Sequence, residues 1–180
     1  MSRTLGLSMA VLGLMLAAAT PSLAHEREQD AGDPSATDVR WAAMMEPHHR
    51  MGIELTELAL EKSDNDGVRA VAEQSKDDQQ SQLPELRAII DAGSEKPMPP
   101  DPPIARFNEQ QMETLRSLSG AEFDRMWLDV FSSHHMAAVM MTQAVQPGTA
   151  GGLAQDLQHE IVEGQLRQID NMNDLREDVG

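Results

Sequence analysis

From position 38 onward the chain alternates between two textures. Long stretches carry apolar residues that return every three or four positions, and short stretches between them are rich in Pro, Gly, Ser and Asp. Met44, His48, Met51 and Leu55 form one stripe of a stretch that also holds Trp41, Met45, Ile53 and Leu58 and runs to about Lys62. This spacing predicts an amphipathic helix. Thr37 or Asp38 is placed to cap it. Pro47 lies inside it and cannot donate to the carbonyl of Ala43, so a kink or a new helix start is expected there. Ser63-Asp64-Asn65-Asp66-Gly67 reads as a turn. A second helix is expected over 68–91, with Val71, Leu83, Leu86 and Ile90 inward, a bend at Pro84 and a stop at Gly93. Lys96 to Pro103 reads as an extended linker. A shorter amphipathic helix is expected over 104–118. Ser119-Gly120-Ala121-Glu122 has capping-box spacing and opens a helix through Phe123, Trp127, Phe131, Met136, Met140 and Met141, ended by Pro147-Gly148. Gly151-Gly152 is a turn, and a last helix covers about 153–175. No stretch alternates as a strand does. The pattern predicts an all-α protein, a bundle of four principal helices with one short connecting helix.

The pattern repeats. Trp41 maps onto Trp127, Ile53 onto Val139, Val71 onto Leu157, Gln79 onto Gln165, Gln82 onto Gln168 and Leu83 onto Ile169, all at an offset of 86 without a gap. The bundle domain, 38–178, is therefore read as two duplicated helix pairs. The first repeat is 38–92 and the second 119–178, joined by the Pro-rich linker 93–103 and the short helix 104–118. Four of the six histidines obey the same offset, as His48-His49 and His134-His135.

Composition places this bundle outside the cytoplasm. Residues 1–24 have the form of a cleavable signal peptide. Arg3 precedes an apolar run from Leu5 to Ala19, shorter than a comfortable membrane span, and Ser22-Leu23-Ala24 has the small-x-small form of a cleavage site. A periplasmic or secreted protein beginning at His25 is expected, with a polar leader over 25–37 and no membrane insertion of the mature chain. Of 14 basic residues only Arg3 lies in the signal peptide, so 13 face 30 acids and the mature charge is −17. Such a surface repels nucleic acid and anionic membranes. There is no cysteine, which excludes disulfides and thiolate metal sites. Ten of 13 methionines remain after the signal peptide, and six of them, Met44, Met45, Met51, Met136, Met140 and Met141, lie close to the histidine pairs.

Adjacent helical residues point about 100° apart, so His48 and His49 do not grip one ion together. Residues four apart share a face, which pairs Met44 with His48, Met45 with His49, and Met136 with Met140. Met51 lies three after His48, and Met141 seven after His134. Imidazole with thioether and no thiolate suits Cu(I), with Ag(I) or Cu(II) as further candidates. The candidate metal ligands are therefore Met44, Met45, His48, His49, Met51, His134, His135, Met136, Met140 and Met141. A di-iron carboxylate bundle requires Glu-x-x-His on two helices. Glu46-Pro47-His48-His49 supplies that motif once, but the equivalent Ser132-Ser133-His134-His135 lacks the carboxylate. A metal-free helical interaction module is the remaining alternative. No nucleophile–base constellation is present, and no enzymatic activity is expected.

Met44-Met45, Pro47-His48-His49 and Ile53 in the first repeat resemble the motif of the family called domain of unknown function 305. In the second repeat the match runs through Leu118-Ser119-Gly120, Phe123-Asp124-Arg125, Asp129, His134-His135, Ala138 and Met141. Ala43 and Leu55 replace the Asp and Met of that pattern in the first repeat, and Val130, Phe131 and Ser133 replace Met-Met and Pro in the second, so unequal sites are expected. The resemblance implies a ferritin-like fold and copper binding outside the cytoplasm. It also implies a role in sequestration or delivery beside other periplasmic copper-handling proteins.

Overall fold

A computed structural model describes residues 34–93, 102–145 and 152–179, with the side chains of 102–107 excepted. The signal peptide, the His25 start, most of the leader and of the Pro-rich linker, and the Pro147-Gly148 helix stop lie outside the described residues. Within them every regular element is a helix: α1 (Ala36–Lys62), α2 (Asp66–Asp91), α3 (Pro102–Ser117), α4 (Gly120–Val145) and α5 (Leu153–Asp178).

The ends follow local chemistry. α1 is capped by Ser35, not by Thr37 or Asp38. The Ser35 hydroxyl accepts from the Asp38 N–H at 3.2 Å, and Asp38 accepts in return from the Ser35 N–H at 2.9 Å. This reciprocal box satisfies two donors that a bare helix start would leave open. Asn65 caps α2 by accepting from Gly67 and Val68, so the helix begins inside the expected turn, which shrinks to 63–65. α1 continues through Pro47 with no new start. Buried Ala43 and Met45 before the proline and buried His49 and Gly52 after it hold both flanking turns. That packing outweighs a local penalty of about 3 kcal/mol.

Cross-helix bonds fix the topology. Glu46 meets Arg87 and Glu57 meets Lys76, so α1 and α2 are antiparallel. Trp41 Nε1 donates to Thr142 Oγ1 at 3.1 Å and Trp127 Nε1 donates to the Leu55 carbonyl at 2.8 Å, so α1 and α4 are antiparallel as well. The two tryptophans are repeat equivalents, and each reaches into the other repeat. α2 and α4 consequently run the same way, and the chain must travel the bundle's length between them. α3 makes that return, with Met112 and Leu115 buried beside Leu55 and Phe123, and Lys62 reaching the Arg116 carbonyl. Four helices with one long crossover are the ferritin-like arrangement.

The core is split. One apolar cluster, around Leu55, Val68, Trp127, Phe131 and Met172, fills the end where α1 finishes. Another, around Trp41, Met45, Leu86, Leu157 and Ile161, fills the opposite end. Each large side chain fully buried there contributes about 1.5–3 kcal/mol. Between the clusters the bundle has a polar waist.

Candidate functional site

The waist is formed by the two histidine pairs and the glutamines that follow them one helix later. His48 and His134, repeat equivalents, stack across the α1–α4 seam with ring centroids 3.8 Å apart and planes 17° from parallel. Phe131 lies parallel to His134 on α4, at 5.9 Å. The other member of each pair turns away, as helix geometry requires. His49 Nε2 lies 2.8 Å from Gln82 Oε1, and His135 Nε2 lies 2.5 Å from Gln168 Oε1. Each glutamine then donates through Nε2 to a carboxylate of the opposite repeat. Gln82 bonds Glu160 at 3.0 Å and Gln168 bonds Asp78 at 2.8 Å.

Most of this layer is buried, with His48 half-buried. His49 and His135 are fully buried, and Gln79, Gln82, Gln165 and Gln168 are buried as well. His48 Nδ1, His49 Nδ1, His134 Nε2, His135 Nδ1, Ser75 Oγ and both amide atoms of Gln79 and Gln165 have no protein partner. An unpaired buried polar atom costs about 1–3 kcal/mol, so concentrating them in one layer suits a layer that takes a ligand. Gly52 belongs to it. A Cβ there would lie 2.1 Å from Gln79 Oε1 and 2.8 Å from His134 Nε2. The repeat equivalent of Gly52 is Ala138, whose Cβ is accommodated.

Burial also sets the charge. It pushes His48 down to about 3, aided by His49 and His135, while a hydrogen bond to the His134 backbone acts the other way. Burial lowers His49 and His135 to about 4 against the opposing bonds from Gln82 and Gln168. His134 is held well below its usual range by burial and by His48. All four imidazoles are neutral at pH 7 and carry a lone pair. Burial and the neighbouring Glu160 raise Asp78 and Glu85, which marks a carboxylate-rich strip along the α2–α5 seam.

The methionines are distributed unequally. Met45 is fully buried among Trp41 and Ala138, and Met141 packs against that same end cluster. Met51 is half-buried against the other cluster, and Met44 is half-buried. Met136 and Met140 are 41% and 64% exposed and face solvent instead of the stacked rings. His159 is exposed. Glu46, on which a di-iron reading depends, is occupied by Arg50 at 2.7 Å and Arg87 at 3.4 Å. Burial would raise its pKa, but these two guanidinium groups lower it. Among the described residues no three His, Asp or Glu side chains are grouped so as to hold a metal ion.

The sequence pattern missed Asp78, Glu160, Gly52 and Ser75. It matched Gln79 with Gln165 and Gln82 with Gln168 without giving them a role. The signal was there, since Gln-x-x-Gln recurs at the repeat offset on faces otherwise turned to the core.

A family model for domain of unknown function DUF305 matches residues 38–176. The chain belongs to the DUF305 family. The match covers both repeats, the crossover and every histidine of the waist. No curated protein is significantly similar. Among solved structures, this DUF305 chain is similar to a DUF305 fragment from Deinococcus radiodurans. They share 24% identity and a TM-score of 0.69, over 81% of this chain and 99% of that one. It is also similar to a DUF305 protein from Streptomyces coelicolor, provisionally described as secreted, at 23% identity and TM-score 0.69, over 80% and 94%. A third is CopM in its Cu(I)-bound form, at 23% identity and TM-score 0.66, over 80% and 98%. CopM has also been crystallised with Ag and with Cu(II). These likenesses establish the all-α bundle fold. No helix among the described residues is long and apolar enough to cross a membrane.

Proposed function

We propose that this DUF305 protein binds Cu(I), and Ag(I) as its chemical analogue, outside the cytoplasm, and serves sequestration or delivery of the ion without catalysing a reaction. The observation that carries this reading is the waist, with four neutral imidazoles that each bury an unpartnered ring nitrogen. Neutral imidazole and thioether are the donors a soft monovalent ion prefers. Cu(I) and Ag(I) are satisfied by two or three donors, so a layer in which no three described His, Asp or Glu side chains are grouped suits them better than it suits Zn(II), which takes four. The proposed ligands are His48, His49, His134 and His135, with thioethers from Met44, Met45, Met51 and Met141 at the edges of the layer. Met136 and Met140 form a solvent-facing thioether pair, a first contact for an arriving ion. The CopM structures with copper and silver support the reading by likeness of fold. The leader sequence supports an exported protein, where other copper-handling proteins would be donors and acceptors.

The test is a competition titration of the mature protein with Cu(I) and a chromophoric chelator. It is run beside a variant with all four waist histidines changed to Ala. Saturable binding by the wild type that is lost in the variant is expected. No competition by the wild type overturns the copper reading.

A further inference from the structure

The two hydrogen-bonded chains through the waist fix where its protons sit. A carboxylate can only accept, so Gln82 must turn its Nε2 to Glu160, and it is seen to do so at 3.0 Å. Its Oε1 then faces His49 Nε2 at 2.8 Å. A carbonyl oxygen also only accepts, so His49 Nε2 must carry the hydrogen. A neutral imidazole has one N–H, and His49 Nδ1 is therefore a bare lone pair. The same steps run from Asp78 through Gln168, at 2.8 Å, to His135 Nε2, at 2.5 Å. His135 Nδ1 is bare by the same reasoning. Both Nδ1 atoms are buried and have no partner in the protein.

The carboxylates do not follow the duplication. At the offset of 86, Glu160 corresponds to Gln74 and Asp78 to Gly164. Each chain also crosses the repeats. His49 and Gln82 of the first repeat are oriented by Glu160 of the second, and His135 and Gln168 of the second by Asp78 of the first. Two unrelated positions thus do the same job from opposite sides, which repetition of one motif does not produce.

We propose that Glu160 and Asp78 are positioning residues. Through Gln82 and Gln168 they hold His49 and His135 in the Nε2–H tautomer and reserve Nδ1 of each as the nitrogen that takes a soft monovalent cation. The assignment of the donor atom rests on the copper reading above, whereas the tautomer assignment stands without it. A second partner that fixes the ring and its tautomer is a general need of histidine ligands.

The experiment is long-range 1H–15N correlation on 15N-histidine-labelled mature protein at neutral pH, before and after addition of silver nitrate. In the metal-free wild type, His49 and His135 are expected to show a protonated Nε2 and a bare Nδ1. Glu160→Gln frees the Gln82 amide to turn over, so His49 becomes a mixture of tautomers while His135 keeps its signature. Asp78→Asn does the reverse. Each variant is expected to weaken silver binding by about 10–100-fold. On silver addition to the wild type, the Nδ1 resonances move and the Nε2 resonances keep their attached protons. A wild-type Nδ1–H on either ring overturns the proposal, and this reading needs no variant to fold. A lock on the same repeat, with Glu160→Gln altering His135 and sparing His49, overturns it too. Silver bound at Nε2 overturns the donor assignment and leaves the copper reading standing. No silver binding at all overturns the copper reading, while the tautomer pattern still decides the positioning role.

Discussion

The four neutral histidines make the metal-free protein sensitive to mild acid, and the size of the effect follows from their burial. An unfolded histidine titrates near 6.5, whereas folded His49 and His135 titrate at about 4 and His48 at about 3. Between those values the unfolded chain binds more protons than the native one, so stability falls as pH falls. The contribution is fully present above pH 6.5, and it is lost progressively down to about pH 4. Integrated from neutral pH to pH 5, the loss is about 2 kcal/mol for each of these three rings. His134 acts in the same direction. The three rings with these values together account for about 6 kcal/mol, against a usual domain stability of about 5–15 kcal/mol. Asp78 and Glu85 act oppositely, because a raised carboxyl takes up its proton sooner in the folded state. Both are only half-buried, and solvent screens them. Urea denaturation of the metal-free protein at pH 7.5, 6.5, 5.5 and 5.0 should therefore show little change over the first step. A steep fall in midpoint follows, with the slope of each transition preserved. Replacing both His49 and His135 by Gln should flatten that fall by about half. A wild-type midpoint constant from pH 7.5 to 5.0 would refute the reasoning, since it would require these rings to be hydrated or already charged.

Two further perturbations probe the waist and its approach. Gly52→Ala and Gly164→Ala both add a methyl inside a helix, where alanine is favoured by about 1 kcal/mol. At Gly164 the nearest atom is the flexible end of Arg167 at 3.9 Å, so the variant should be more stable. At Gly52 the methyl meets Gln79 and His134, and overpacking of about 1–3 kcal/mol should cancel or reverse the gain and weaken silver binding. Urea midpoints and a silver titration check both, and equal stabilisation at the two sites would remove Gly52 from the site. Changing Met136 and Met140 together to Leu should alter stability by less than about 0.5 kcal/mol, because both are exposed. It should slow Cu(I) uptake in stopped flow and leave the equilibrium affinity in place, and a large loss of affinity would move the site to the surface.

What could be read from the sequence was what repeats and what is periodic. The offset that pairs Trp41 with Trp127 and His48 with His134 gave two helix pairs, and in the bundle these residues do occupy matching places. The angular argument that parts His48 from His49 also holds, since one stacks on its counterpart and the other bonds Gln82. Local rules failed where tertiary contacts decide. Pro47 neither ends nor restarts α1, because both adjoining turns are buried. Ser35 takes the cap from Thr37 and Asp38 because Asp38 can answer it from the third helical position. Spacing along one helix placed Met136 and Met140 near the histidines, but their side of α4 is open to solvent. Asp78 and Glu160 were hidden for a different reason. On their own helices they look like two more charges on a solvated face, and only the approach of α2 to α5 brings them to Gln168 and Gln82.

The stack of His48 on His134 has a consequence for the history of the chain. Equivalent residues that meet face to face lie on a two-fold axis, and that is the axis on which two copies of a single helix pair would associate. In such a dimer every substitution falls twice, so a waist glycine would appear on both sides or on neither. Fusion of the copies into one polypeptide removes that constraint. Gly52 opposite Ala138, Ser75 opposite Ile161 and Glu46 opposite Ser132 are differences that a symmetric ancestor could not have held. The joined protein can therefore open one side of its centre and pack the other, keeping a symmetric frame around an asymmetric interior.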